Sequence, residues 1–338
     1  MDKVRIGVIC PSEIAFRRFL PSLKKATTFE YVGVAIANKE EFVGATDEIL
    51  TKERLKAQSF VDNYGGIVFD SYRQLIRHPE VDAIYLPLPP SLHFKWAMEA
   101  LENGKHVLVE KPSTTCLSDT QQLISIADKK GLALHENYMF VFHKQIEEIK
   151  KIISRGEIGD VRLFRITFGF PRRLITDFRY NKSLGGGALL DAGGYTMKLA
   201  SIMMEGDLKI TSANVGYLSD FDVDIYGAAT LANDKGEVAQ IAFGMDNDYR
   251  CDLEVWGSIG TLTTGRILTA PAGFSPSYTI KKNQEILNGE LPDDDAFLKS
   301  INRFADCINN ETIRKNNYQL IYKQECLVDE FIKHSNYR

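Results

Sequence analysis

The sequence predicts an α/β protein with two domains. The first has a doubly wound parallel sheet, and the second is an α+β domain with a large, mostly antiparallel open sheet. Three observations lead to this. The chain has 338 residues, too many for one small core. Up to about residue 138, short apolar runs alternate with helical stretches, and beyond it long strand-like segments follow one another. We therefore predict domains at 1–138 and 139–338.

The first domain repeats a strand-helix-strand pattern, which predicts parallel strands with helices on both faces of the sheet. The predicted strands are Val4 to Ile9, Tyr31 to Ala37, Ile67 to Phe69, Val81 to Leu86, His106 to Val109 and Leu132 to His135. The predicted helices are Ile14 to Lys25, Phe42 to Tyr64, Tyr72 to Arg77, Leu92 to Asn103, and one that ends at Gly131.

Capping residues define several of these helix ends. Ser71 is placed to cap the helix through Arg77. Gly104 closes the preceding amphipathic helix, and Ser118 with Gln121 has the spacing of a capping box for the next one. Gly131 then stops that helix before the last strand of the domain.

The second domain opens with a helix from Lys144 to Arg155 and then turns to β structure. The turn of a hairpin is predicted at Asn233 to Gly236. The predicted strands are Val161 to Phe170, Lys209 to Leu218, Asp224 to Leu231, Val238 to Met245, Asp252 to Trp256 and Thr261 to Thr264. Further helices are predicted at Gly187 to Met204, Ala296 to Asn309 and Tyr318 to His334.

Composition excludes several classes of protein. Charged residues make up 25% of the chain, the formal net charge is -4, and no basic cluster offers a nucleic-acid footprint. No apolar run approaches the roughly 20 residues that span a bilayer, and Met1-Asp2-Lys3 leads directly into a strand, so we expect a cytoplasmic protein. The five cysteines are scattered and predict neither a disulfide framework nor a metal site.

The stretch from Gly104 to Pro112 is the centre of the first domain. Its apolar run ends at Val109, so Glu110 and Lys111 follow a buried parallel strand at its carboxyl end. In open α/β sheets this edge faces the ligand crevice. The alternative is a solvated strand end with a proline that forces the turn.

Four motifs in order resemble those of the Gfo/Idh/MocA oxidoreductase family. They are Val81-Asp-Ala-Ile-Tyr-Leu-Pro-Leu-Pro-Pro-Ser-Leu-His93, Gly104-Lys-His-Val-Leu-Val-Glu-Lys-Pro112, Glu136-Asn-Tyr-Met-Phe140 and Gly185-Gly-Gly-Ala-Leu-Leu-Asp-Ala-Gly193. The resemblance implies a Rossmann domain that binds NAD or NADP, and an α+β domain for substrate binding and oligomer contacts. Members mostly oxidise or reduce sugars, inositols and related polyols, some of them linked to a nucleotide.

The first turn departs from that family. Where its members usually have Gly-x-Gly, this chain has a Cys-Pro-Ser turn, and Glu13 brings a negative charge near a negative ligand. Helix N-terminal amides and the Ser12 hydroxyl remain, so the strength of cofactor binding is left open. The cofactor residues expected in this turn are Cys10, Pro11, Ser12, Glu13 and Ile14.

Tyr195 is a second departure, because many members have His at this place. The resemblance to a subgroup with Tyr, similar to glucose-fructose oxidoreductase and dimeric dihydrodiol dehydrogenase, makes Tyr195 the acid/base. Asp191 lies four residues earlier, on the same helix face. The alternative is a half-buried Tyr that packs between helix and sheet.

Other residues complete the expected site. After the second strand come Asn38 and Lys39, and because no acidic residue precedes Glu40, NADP is mildly preferred over NAD. The resemblance places further cofactor contacts at Leu88, Pro89, His93, Glu110 and Lys111. His93 is equally well a local cap or contact. Substrate contacts are expected at Lys111, Tyr138, Arg179, Asp191 and Tyr195, although Arg179 and His143 also suit structural roles.

The resemblance leads us to expect an NAD(P)-dependent oxidoreductase acting on a sugar, nucleotide-sugar or cyclic polyol. In the expected reaction Tyr195 exchanges the proton, Lys111 favours the tyrosinate and holds a hydroxyl, and Asp191 fixes a second hydroxyl. Lys111 and Tyr195 are expected to meet at one crevice. Two alternatives are an NAD-dependent glycosidase of the same family and a non-catalytic sensor.

We also expect a homodimer or homotetramer built through the open sheet of the second domain. An antiparallel sheet packed on helices with one face leaves its other face to be covered. The strand from Asp224 carries Ile225, Ala229 and Leu231, which we took as part of that surface. No metal, nucleic acid or membrane is expected as a partner.

Overall fold

The computed structural model describes residues 3–42 and 44–338, and it divides into two compact units. One unit runs to Asn137 and includes Phe297–Tyr322, and the other comprises Tyr138–Ala296 and Lys323–Arg338. The first division between the units falls between Asn137 and Tyr138. Residues 297–322, which we had placed in the second domain, pack instead in the first unit, where Phe304 stacks on Phe29 at 5.9 Å.

The first unit is built on a sheet with the order β3-β2-β1-β4-β5-β6 and parallel pairing throughout, as predicted. Its strands are β1 Val4–Ile9, β2 Phe29–Ala35, β3 Ile67–Phe69, β4 Ala83–Leu86, β5 His106–Val109 and β6 Leu134–Glu136. Its helices are α1 (a π-helical Ala15–Phe19 continued by Leu20–Leu23), α2 Asp47–Tyr64, α3 Tyr72–Arg77, α4 His93–Glu102, α5 Leu117–Lys130 and α8 Ala296–Asn309. Val43, inside the predicted second helix, lies outside the described residues.

The second unit has a sheet with the order β14-β13-β12-β11-β7-β10-β9-β8, antiparallel except for the pair β7 and β10. Its strands are β7 Val161–Gly169, β8 Leu208–Tyr217, β9 Asp224–Asn233, β10 Val238–Gly244, β11 Arg250–Gly257, β12 Thr261–Thr264, β13 Ser277–Lys282 and β14 Glu285–Glu290. Its helices are α6 Lys144–Ser154 and α7 (a π-helical Leu189–Gly193 continued by Gly194–Met203). The last helix, α9 Glu311–His334, contributes its first half to one unit and its second half to the other.

The core of the second unit fills one face of this sheet. Ile225, Ala229 and Leu231 point into that core, so they do not belong to the open face, contrary to our expectation. Strand side chains alternate between faces, and the open face of β9 therefore carries Tyr226, Ala228 and Thr230.

One hairpin was not predicted, and two predicted helix starts were wrong. The hairpin of β13 and β14 was missed, because its strands are mostly polar and its turn uses Asn283, at a φ of 53°, rather than glycine. The capping box at Ser118 is absent, since α5 already begins at Leu117. The α9 helix begins at Glu311 rather than Tyr318 because Asn310 Oδ1 accepts a hydrogen bond from the N–H of Ile313.

The Ser71 cap is confirmed, with its hydroxyl accepting from the N–H of Gln74 at 3.0 Å. The five cysteines all lie within the described residues and are free thiols. Among the helices that the structure describes, none is long and apolar enough to cross a membrane.

Candidate active site

The turn after β1 keeps the backbone shape of a glycine turn without a glycine. Cys10 has a φ of 74°, in the left-handed region that favours glycine. The Ser12 hydroxyl accepts a hydrogen bond from the N–H of Ala15 at 3.2 Å and caps α1. The exposed Glu13 is paired with Arg17 at 2.8 Å, which offsets its negative charge. The turn therefore still presents a helix N-terminus of the kind that holds phosphate groups.

The thiol of Cys10 is inert in this turn. Burial raises its pKa to about 12, so it stays protonated at neutral pH. Next to it in the turn, Pro11 is buried and Ile14 is exposed. These residues shape the turn through the backbone rather than through reactive side chains.

The loop after β2 is fixed by the side chains of Asn38 and Glu41, which bond to backbone N–H groups. Asn38 Oδ1 accepts from the N–H groups of Glu40 and Glu41, each at 3.0 Å. The carboxylate of Glu41 accepts from the N–H groups of Tyr72 and Arg73 at 2.9 and 3.0 Å and so caps α3. Glu41, the buried acidic residue of this loop, is therefore used to cap α3.

A cavity of about 520 Å³ lies beside this loop. Lys39 and Arg54 line it with exposed side chains, each paired with a carboxylate, Lys39 with Asp47 at 2.7 Å and Arg54 with Asp70. The sequence analysis missed Arg54, which sits two turns inside α2. The same cavity is also lined by the carboxylates of Glu40, Asp47 and Asp70, so its two cations are balanced by neighbouring acidic groups.

His93 ties two loops together and is not an exposed acid or base. It is fully buried, with Nδ1 2.7 Å from the carbonyl oxygen of Pro112 and Nε2 2.6 Å from that of Leu88. Burial lowers the pKa of His93 to about 4, while the two carbonyl groups oppose that shift. His93 therefore joins the loop after β4, which includes Pro89, to the loop after β5, and it is unsuited to donate a proton to a substrate.

Glu110 lies at the end of β5 and receives two strong hydrogen bonds. Tyr85 donates its hydroxyl to Glu110 Oε1 at 2.6 Å, and Asn137 donates Nδ2 to the same atom at 2.6 Å. Burial raises the pKa of Glu110, while these two donors and the charge of Lys111 lower it. Lys111 itself is half-buried at the same strand end. Glu110 and Lys111 therefore lie at the carboxyl edge of the parallel sheet, as predicted.

The hydrogen bonds continue inward from Asn137. Ser300 donates to Asn137 Oδ1 at 2.7 Å and faces His135 Nε2 at 3.0 Å. Asn317 lies at the far end, with Oδ1 3.3 Å from His135 Nδ1. All four of these side chains are buried. The sequence analysis missed Ser300 and Asn317, because α8 and α9 lie far along the chain from Asn137. Buried polar groups of this kind hold a site in one geometry when each is paired.

In the second unit, Tyr195 lies on α7 among aromatic rings. It is 9% exposed, and its ring centroid is 5.2 Å from Tyr138, 5.7 Å from Phe140 and 5.3 Å from Phe168. Lys198, one turn further along α7, places its ammonium 5.7 Å from the centre of the Tyr138 ring. Tyr195 thus packs among aromatic rings, as the alternative interpretation describes, and it contacts Tyr138, another of the expected substrate residues.

Asp191 is held by Arg179. Arg179 Nε donates to Asp191 Oδ2 at 2.6 Å, and its NH1 donates to Asp177 Oδ1 at 3.2 Å. Burial lowers the pKa of Arg179, but the two carboxylates outweigh it and raise that pKa. The guanidinium is therefore a fixed cation, and it orients Asp191. His143, by contrast, caps α6 by accepting from the N–H of Gln145 at 3.2 Å.

The three glycines before α7 have separate structural reasons. Gly185 and Gly187 have φ values of 76° and 120°. A Cβ on Gly186 would lie 2.4 Å from the carbonyl oxygen of Arg179, and one on Gly187 would lie 2.3 Å from Oδ1 of Asp224. The loop can therefore approach Arg179 and Asp224 only without side chains.

Two family models match the chain. Residues 5–138 match an oxidoreductase family model with an NAD-binding Rossmann fold, and residues 146–263 match the C-terminal domain model of the same family. Together they cover most of both units. The match agrees with the four motifs and with the parallel sheet.

Curated relatives match either nearly the whole chain or about half of it. A dTDP-3,4-didehydro-2,6-dideoxy-α-D-glucose 3-reductase from Saccharopolyspora spinosa is 35% identical over 302 residues, 89% of this chain and 86% of the relative. A trans-1,2-dihydrobenzene-1,2-diol dehydrogenase from Xenopus tropicalis is 32% identical over 182 residues, 52% of this chain and 53% of the relative.

Among solved structures, a 3-ketoreductase from Actinomadura kijaniata in complex with NADP and TDP-benzene superimposes with a TM-score of 0.91. It is 34% identical, and the match covers 99% of this chain and 98% of that one. The same ketoreductase has also been solved with a tyrosine replaced by phenylalanine and with a lysine replaced by alanine, in both cases with TDP-benzene and NADP.

Proposed function

The chain belongs to the Gfo/Idh/MocA oxidoreductase family, as its motifs predicted, and on that premise we propose that it reduces a keto group on a dTDP-linked deoxysugar with NADPH. The family and the relatives make it an NAD(P)-dependent oxidoreductase that acts on carbinol and keto groups of sugars. The proposal adds the nucleotide carrier, the reductive direction and the preferred cofactor.

One observation carries this proposal. In the ketoreductase from Actinomadura kijaniata, the replaced lysine and tyrosine are separated along the chain by the same number of residues as Lys111 and Tyr195 here. This agreement supports the roles that we assign to the two residues. The coverage of almost the whole chain supports a shared substrate class.

We assign proton transfer to Tyr195. Its hydroxyl gives a proton to the ketone oxygen as the carbon is reduced, which is general acid catalysis. The packed rings of Tyr138, Phe140 and Phe168 fix the orientation of the Tyr195 ring and exclude water from its faces. An aromatic wall of this kind also suits the apolar face of a deoxysugar.

Lys111 and Asp191 support this transfer. The ammonium of Lys111 favours the tyrosinate that remains after proton transfer, because an opposite charge lowers the pKa of a hydroxyl. Asp191 holds a second hydroxyl of the sugar, with its carboxylate oriented by Arg179. We assign substrate contacts to Tyr138 and Arg179 as well.

The first unit fits a dinucleotide. The capped helix N-terminus after Cys10 is suited to the pyrophosphate, and the loops that end in Pro89 and Lys111 are suited to the nicotinamide side. When bound, reduced nicotinamide supplies the hydride. Lys39 and Arg54 support a preference for NADP, since both line the cavity beside the loop after β2 and a phosphate would take the place of their present partners Asp47 and Asp70.

The two alternatives from the sequence have no support in these comparisons. A glycosidase would regenerate its cofactor within each turnover, and a sensor would show no turnover. The relatives described above are reductases and dehydrogenases by name.

The test is NADPH oxidation with a dTDP-linked 3-keto-deoxysugar, followed by product analysis. The matched controls are the same keto sugar without its nucleotide, D-xylose, and NADH in place of NADPH. We expect turnover with the nucleotide-linked substrate and stabilisation of the protein by TDP alone, seen as a higher melting temperature. Equal activity on the free sugar would refute the nucleotide-sugar assignment.

A further inference from the structure

The helix that carries Asp191 and Tyr195 has no cap of its own. Helix α7 begins at Leu189, and the residue before it, Ala188, offers no side chain to the unpaired N–H groups of the first turn. A buried helix end without a partner costs free energy. The partner must therefore come from another element.

That partner is Asp224, the first residue of β9. Its Oδ2 accepts a 2.6 Å hydrogen bond from the N–H of Leu189, and the N–H of Ala188 is a second donor to this carboxylate. A carboxylate at a helix N-terminus is favoured by the partial positive charge of that end. Asp224 thus takes the place of the N-cap residue from a strand 35 positions further along the chain.

Gly187 makes room for this contact. A Cβ on Gly187 would lie only 2.3 Å from Asp224 Oδ1, and its φ of 120° already disfavours other residues. The last glycine of the Gly-Gly-Gly motif and the carboxylate of Asp224 are therefore complementary. Neither the motif nor the strand pattern of β9 indicates this pairing.

The carboxylate of Asp224 is buried but only partly hydrogen-bonded. Asp224 is 1% exposed, and within the described part of the chain its Oδ1 has no hydrogen-bond partner. Burial raises the pKa of Asp224 to about 6, while the backbone donors lower it. The folded protein therefore binds more protons than the unfolded chain between pH 3.8 and about 6, so stability falls as the pH rises through that window.

We propose that Asp224 is a positioning residue that fixes the first turn of α7 and, through it, the orientation of Asp191 and Tyr195. The proposal rests on the function proposed above for these two residues. Asp191 lies within the capped π-helical turn, and Tyr195 follows one turn later. Loss of the cap shifts these side chains without removing any group that contacts the substrate.

The experiment compares Asp224→Ala, Asp224→Asn and Gly187→Ala with the matched control Asp222→Ala, an exposed carboxylate two residues earlier. Asn keeps an oxygen for the N–H of Leu189, whereas Ala removes it. We expect Asp224→Ala to lower kcat at least tenfold with KM for NADPH unchanged, and Asp224→Asn to restore kcat to within about threefold of wild type. Gly187→Ala should lower kcat as Asp224→Ala does, and Asp222→Ala should keep the wild-type kcat.

Amide hydrogen exchange across residues 188–195 is the second measurement, and it needs no substrate. We expect faster exchange there in Asp224→Ala and Gly187→Ala, with unchanged exchange in α6. If Asp224→Ala does not fold, kcat and amide exchange are compared between Gly187→Ala and Asp224→Asn, and that comparison tests the proposal. A kcat within twofold of wild type in the folded cap variants, or unchanged exchange at 188–195, would overturn the proposal. An inactive wild-type protein would instead refute the proposed function.

Discussion

Ser300 donates a 2.7 Å hydrogen bond to Oδ1 of Asn137, which lies 163 residues earlier in the chain. Asn137 in turn donates to Glu110, the residue next to Lys111. Both Ser300 and Asn137 are buried, so their groups have no access to water as an alternative partner. The helix α8 thereby controls the conformation of the strand end where the candidate lysine lies.

Replacement of Ser300 by Ala should destabilise the protein, because Asn137 Oδ1 then loses its donor in a buried position. We expect the free energy of unfolding to fall by about 1–3 kcal/mol. Urea denaturation measures this. The control is Ser59→Ala on α2, a half-buried position whose hydroxyl bonds to the Lys56 carbonyl at the surface, and it is expected within about 0.5 kcal/mol of wild type. Equal stability of the two variants would show that the buried chain of hydrogen bonds contributes nothing.

Tyr195→Phe should lower kcat by about 10²–10⁴-fold, the usual contribution of a general acid. The ring and its contacts remain, so cofactor affinity should change little. Steady-state kinetics and a calorimetric titration of NADPH measure the two effects. Near-normal turnover would return Tyr195 to a packing role, and the buried His93 could not take its place.

Lys111→Met should also lower activity and should shift the pH profile, because the charge that favours the tyrosinate is lost. If Lys111 and Tyr195 act as a unit, the double variant should be much less impaired than the product of the two single losses. Steady-state kinetics of wild type, the two single variants and the double variant complete the double-mutant cycle. Multiplicative losses would show that the two residues act independently.

Lys39→Ala and Arg54→Ala should each raise the Kd for NADPH by roughly tenfold, as loss of a charged hydrogen bond would. The Kd for NADH should stay the same, since NADH lacks the extra phosphate. Calorimetric titration compares the cofactors. The control is Lys52→Ala, an exposed position on α2, the helix that also carries Arg54. An equal weakening of NADH binding would refute the specificity role.

His106→Asn should reduce the acid sensitivity of the fold. His106 Nδ1 accepts a 2.9 Å hydrogen bond from the N–H of Ala133, and protonation would remove that acceptor. Burial, with the charge of Arg314 second, lowers the pKa of His106 to about 4 from 6.5. The unfolded chain therefore binds more protons between pH 4 and 6.5, and stability falls as the pH falls through that window.

Asn at this position keeps an oxygen acceptor and does not titrate in that window. Melting temperatures from pH 4 to 7 should therefore fall less steeply in His106→Asn than in wild type. The exposed His334→Asn should follow the wild-type slope. Identical slopes in all three proteins would contradict this assignment.

The open face of the second sheet is the surface where we expect a second copy to bind. Tyr226 and Trp256 are each about half exposed there, at 50% and 51%, and aromatic residues are enriched in protein interfaces. Ala228 of β9 lies opposite Ala242 of β10 on this face. Ala228→Arg should convert an oligomer into a monomer, measured by light scattering. Ser154→Arg, on an exposed helix, is the control, and a monomeric wild type would refute the expectation.

The sequence by itself determined the two kinds of sheet and the place of Glu110 and Lys111. These follow from local patterns, because apolar periodicity, glycine stops and short strands depend on residues close together in the chain. For the same reason β5 was predicted at its observed bounds. The polar hairpin of β13 and β14 lacks such a pattern and was missed.

Only the tertiary structure decided how the candidate residues are held. His93 is engaged by two carbonyl groups, α8 joins the first unit through Ser300, and Asp224 caps α7 from another strand. Each contact links residues far apart in sequence or in different elements, and each satisfies a polar group that folding has buried. Such pairings depend on which surfaces pack together, so no local spacing encodes them.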